Sequence, residues 1–123
     1  YNELELYLAG MIPIDSVKDF DVFKNITSFT QDGSKLKFVA SSKTTYTSAS
    51  LEQLLGKRIP DYNNSQKDFK MLTIIITNKA LTEVEWEWFD DEAKWFETKQ
   101  FDNDIAYNFY EATRGIGTIT IGY

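Results

Sequence analysis

From residue 82 to residue 89 the chain reads Thr-Glu-Val-Glu-Trp-Glu-Trp-Phe, with acidic and apolar residues taking turns. Strand side chains point alternately to the two faces of a sheet, so alternation at period two predicts a half-buried strand. Glu83, Glu85 and Glu87 would then form one row and Val84, Trp86 and Trp88 the opposite one, with neighbours in a row about 6.5–7 Å apart.

Other segments carry the same signature. Leu4, Leu6 and Leu8 alternate with Glu3, Glu5 and Tyr7, which predicts a strand over 3–8. Asp32-Gly33 lies between the runs 26–30 and 35–40 and predicts a hairpin, because Gly33 accepts the positive φ of its turn. Further strands are expected over 71–77, 94–101, 105–113 and 118–123, with turns at Asp90-Asp91-Glu92, Asp102-Asn103-Asp104 and Gly115-Ile116-Gly117. Two short helices are expected, over 16–23 and 50–55, the second capped by Ser50 with Gln53 and ended by Gly56. The sum is a mainly β (α+β) chain. It would hold a single antiparallel sheet, strongly curled or closed into a barrel-like meander, with one or two short helices at its end or face. With 123 residues and no linker rich in Pro, Gly or Ser, residues 1–123 read as a single domain.

Composition removes whole classes of chemistry. The chain has neither Cys nor His. Disulfides, thiolate metal sites, Cys nucleophiles and Ser-His-Asp arrangements are therefore excluded, and the usual general base is absent. An enzyme is not expected, nor a cofactor. No run approaches the ~20 apolar residues of a membrane helix. No basic-then-apolar leader opens the sequence, and the lack of Cys leans towards a reducing, cytoplasmic setting. The net charge of −6 disfavours nucleic acid and anionic membranes and permits a basic protein partner.

That charge is concentrated. Residues 83–104 hold nine carboxylates against Lys94 and Lys99, together with all three tryptophans, while the rest of the chain is nearly neutral. The bland reading is a solvated sheet face of glutamates over core-anchoring tryptophans. The functional reading is a binding face for a basic protein, since interfaces enrich Trp and complementary charge speeds encounter. The residues assigned to it are Glu83, Glu85, Glu87, Asp90, Asp91, Glu92 and Trp95.

Other motifs carry less. Glu83 and Glu85 would stand near the separation of an inverting glycosidase pair, with no sign of a pocket. Neither acidic turn matches a calcium loop, so no metal is expected. Gly115-Ile116-Gly117 lacks the third glycine of a dinucleotide fingerprint, position 120 being Thr. Lys57-Arg58, beside Pro60 and Tyr62, reads as a small exposed basic loop and a second contact point.

Certain features resemble small immunity proteins of bacterial polymorphic-toxin systems. They are Ile12-Pro13-Ile14 with Phe20 and Phe23, the Asp32-Gly33 hairpin into Lys35-Leu36-Lys37-Phe38, the acidic Trp-bearing segment, and the closing Ile119-Thr120-Ile121-Gly122-Tyr123. The resemblance lies in the layout of the whole chain. It implies a small acidic cytoplasmic protein that neutralises a toxin by binding it, as monomer or dimer. Two alternatives stand beside it. One is a β-rich assembly subunit of a phage or appendage, associating through an edge at 35–40 or 118–123. The other is a β-barrel holding a small ligand among its aromatics.

Overall fold

The computed structural model describes residues 1–102 and 106–122. In chain order it has helix α1 (Glu3–Leu8), a 3-10 turn (Ile14–Ser16), strands β1 (Phe20–Asp32) and β2 (Lys35–Tyr46), helix α2 (Ser48–Leu55), strand β3 (Asp68–Leu72), helices α3 (Glu83–Glu97) and α4 (Phe109–Ala112), and strand β4 (Thr118–Gly122). The fold is α+β, with two separate two-stranded sheets. β1 and β2 pair antiparallel and β3 and β4 pair parallel.

The single curled or barrel-like sheet is therefore overturned. One fifteen-residue helix, Glu83–Glu97, takes up the strand expected at 82–89, the turn after it and the first half of the strand expected at 94–101. Period two and period 3.6 agree at i and i+4, so Glu83 with Glu87 and Val84 with Trp88 satisfy both. Helix start chemistry decides between them. The Thr82 hydroxyl accepts from the Glu85 backbone N–H (3.3 Å), and the Glu85 carboxylate accepts from the Thr82 backbone N–H (2.8 Å). This is a capping box. No Gly or Pro interrupts 83–97, so Asp90-Asp91-Glu92 continues the helix instead of turning.

The same chemistry converts 3–8 from the expected strand to α1, where Asn2 and Glu5 cap each other. In α2 the box is Thr47 with Ser50, three residues ahead of the expected one. The helix expected over 16–23 is instead the end of the 3-10 turn followed by the start of β1.

The hairpin is present and longer than expected, with Gly33 at φ +61° in its turn. A bulge at Thr27 shifts the register between Ile26 and Ser28. Phe20 stacks on Tyr46 at its base, against a small core of Tyr7, Val17 and Leu51. Beyond the base every residue from 21 to 39 is exposed, so the hairpin is an arm.

The expected strand 71–77 is regular only to Leu72, and Ile74 and Ile76 beyond it are exposed. The region expected as strand 105–113 holds α4, and Gly115-Ile116-Gly117 leads into a parallel strand, not a hairpin. Asn108 caps α4 and is fully buried, accepting from the Glu111 N–H (2.9 Å) and donating to the Gln100 carbonyl (3.0 Å). The expected turn at 102–104 falls mostly outside the described residues, as do Ile105 and Tyr123.

Candidate functional site

All seven residues assigned to the acidic site lie on α3. At about 100° per residue they no longer form a row. Glu83, Glu87, Asp90 and Lys94 share one stripe. Val84, Trp88 and Trp95 lie to one side of it, and Trp86, Phe89 and Ala93 to the other. Glu83 and Glu85, two apart on a helix, do not face each other, so the paired-carboxylate geometry does not exist.

The helix buries no residue along its length. The tryptophans expected as core anchors are open to solvent, with 47% of Trp86 and 63% of Trp88 exposed. Trp86, Phe89 and Ala93 line a shallow pocket with Thr73 and Ile75, so this side rests over the segment following β3. Val84 and Trp88 lie on the far side, where Asp91 and Glu92 neighbour Trp88 and Glu87 neighbours Val84 along the helix surface.

The individual carboxylates differ. Glu85 serves the cap and also pairs with Lys79 (3.1 Å). The Thr82 backbone N–H, then the Lys79 ammonium, hold its carboxyl below the ordinary glutamate value. Asp91 pairs with Lys94 (3.1 Å), and Asp90 is half-buried. Trp95 is half-buried, its indole N–H donating to Asp102 (3.3 Å) and its ring meeting Phe96 edge to face. Glu83, Glu87 and Glu92 are exposed and enter no ion pair among the described residues. The presentable surface is therefore Glu83, Glu87 and Glu92 around Val84 and Trp88. Glu85 and Trp95 are structural.

Arg58, expected in an exposed contact loop, is a clamp. Its guanidinium donates to the Leu8 carbonyl (3.0 Å), the Ser65 hydroxyl (2.5 Å) and the Pro60 carbonyl.

A cleft of about 500 Å³ opens between α1, β3, α4 and β4, lined by Leu6, Met11, Phe69, Met71, Phe109 and Ile119. Its size suits a small ligand. Its polar groups are mostly engaged: Glu5 closes the α1 cap, the Tyr1 amino group donates to the Ala112 carbonyl (3.2 Å), and the Thr113 hydroxyl bonds Phe109 and Gly117, with Lys70 beside them. No set of polar groups converges to orient a ligand, and the barrel expected around one is absent.

Among the described residues no cluster of three carboxylates could hold a metal ion, and no helix is long and apolar enough to cross a membrane. No known family matches the chain, and comparison with curated proteins and with solved structures finds no match either.

Proposed function

We propose that this chain is a non-catalytic protein-binding module whose acidic helix α3 engages a basic partner. One observation carries the reading: α3 bears seven carboxylates against one lysine and leaves Val84 and Trp88 exposed among them. Surface Trp is the commonest kind of binding anchor. A ring flanked by carboxylates suits the aliphatic stem and cationic head of Lys or Arg. An inhibitory or immunity role, with a basic toxin or enzyme as partner, is the form the acidity favours, in a cytoplasmic setting consistent with the absence of Cys.

The test is affinity capture from the source lysate with wild type beside Glu87→Lys/Glu92→Lys, followed by binding of the purified captured protein. Neither residue belongs to the cap or, among the described residues, to an ion pair, so the fold is spared. A basic protein held only by the wild type supports the reading, and identical capture by both baits sinks it.

A further inference from the structure

The β1–β2 arm and α3 are complementary to one another, yet each is exposed. The arm carries Lys24, Lys35, Lys37 and Lys43 against Asp21 and Asp32, whereas α3 is strongly negative. Two of the arm's lysines already have partners, Lys37 with Asp32 (2.6 Å) and Lys43 with Asp21 (2.9 Å). Lys24 and Lys35 enter no ion pair among the described residues. Exposed apolar side chains Ile26, Phe29 and Leu36 stand on the same face of the ribbon as Lys24, while Lys35 and Val39 point to the other face.

The arm also lacks what stabilises a ribbon of this kind. An isolated two-stranded hairpin is marginal in water and needs a further strand or a helix against one face. Beyond its base only Ala40 of the arm is even half-buried. The surface area makes the same point. A compact monomer of 14.3 kDa exposes roughly 6,800 Å². This chain exposes 9433 Å². The excess of about 2,600 Å² per copy is what a homodimer interface buries, since obligate pairs hide about 1,000–2,500 Å² on each partner.

We infer that what α3 engages is the basic arm of a second copy of this chain, with the arm of each copy laid against α3 of the other. The contact lays the ribbon face that carries Lys24, Ile26, Phe29 and Leu36 on α3, with Lys24 against Glu87 and Glu92 and the apolar side chains against Val84 and Trp88. Made reciprocally, it closes a twofold dimer and leaves no sticky end for further growth. The inference rests on the reading of α3 as a binding face and names its partner.

Light scattering on the full chain at about 50 µM reads it, since self-association follows protomer concentration. The wild type should be dimeric. Lys24→Glu and Glu87→Lys/Glu92→Lys should each weaken self-association at least tenfold, with unchanged far-UV circular dichroism. A one-to-one mixture of the two variants should form the heterodimer. A monomeric wild type, self-association unaffected by either variant, or no heterodimer in the mixture each overturns the inference. A monomeric wild type that still captures a basic protein through Glu87 and Glu92 overturns this inference alone. Loss of both behaviours removes the binding-face reading as well.

Discussion

The rings of Phe23 and Phe38 meet edge to face, centroids 4.7 Å apart, although Phe23 pairs with Lys43 and Phe38 with Phe29. Five residues of strand separate those register positions, about 16 Å along a straight ribbon. The arm must therefore bend between them, where Asn25 takes φ +51° and Thr27 bulges. Asn25 holds the bend from the side, its amide donating to the Ser41 hydroxyl (3.0 Å), which in turn donates to the Lys24 carbonyl (3.2 Å).

The bend gives the arm its shape, and the ring contact is the packing that supports it. An aromatic pair contributes about 0.5–1.5 kcal/mol beyond its area. Phe38→Ala should speed hydrogen exchange of the arm amides by several-fold while leaving the amides of α1 and α2 unchanged. If exchange speeds equally in all three elements, the arm is not an independent unit.

The cap of α3 makes a second prediction. Thr82→Ala removes the hydroxyl that accepts from Glu85, and loss of such a cap costs about 0.5–2 kcal/mol. The helix buries no residue, so packing offers little to compensate. Helicity at 222 nm should fall and the tryptophan emission should change, whereas Thr82→Ser should retain both. Full helicity in Thr82→Ala would show that the segment is held by something other than its cap.

How far the sequence disclosed this fold depends on which signal was local. The Asp32-Gly33 turn and the Gly56 end of α2 were legible because each is fixed by one residue's backbone freedom, φ +61° and +75°. Glu83, Glu87 and Glu92 were legible as a concentrated acidic face, although not as a helix, whereas Trp88, expected inside as an anchor, is exposed. The alternation misled because residues four apart share a face in both a strand and a helix. Thr82 with Glu85 and Asn2 with Glu5, each three residues apart, were the signals that could have corrected it. The parallel pairing of β3 with β4 was not legible at all. It joins segments fifty residues apart, Asp68 to Thr118, through contacts with no local pattern.

Gly117 is the third test, because its backbone lies where no side chain fits. A Cβ there would come 2.9 Å from the Phe109 ring, 3.0 Å from the Thr113 hydroxyl and 3.2 Å from Met11. The Gly117 N–H also donates to that hydroxyl (2.9 Å). Overpacking costs about 1–3 kcal/mol. Gly117→Ala should lower the denaturation midpoint accordingly, while Gly122→Ala, with open space around it, should leave it unchanged. Equal effects would mean that the α4–β4 junction is looser than its contacts indicate.

The last prediction concerns acid. Glu85 has its folded-state carboxyl held below the ordinary value by the Thr82 N–H and Lys79. A depressed carboxylate contributes stability above its unfolded pKa and loses it as pH falls through the folded one. The cap should therefore weaken progressively below about pH 5, the ordinary glutamate range. Comparing wild type with Glu85→Gln isolates the contribution of the carboxylate charge, because the amide keeps the side-chain shape and cannot ionise. The helicity advantage of wild type should be complete near neutral pH and vanish as Glu85 protonates, in low salt and in high salt alike. An advantage that is unchanged in acid would assign the cap to geometry alone, with no contribution from the Glu85 charge.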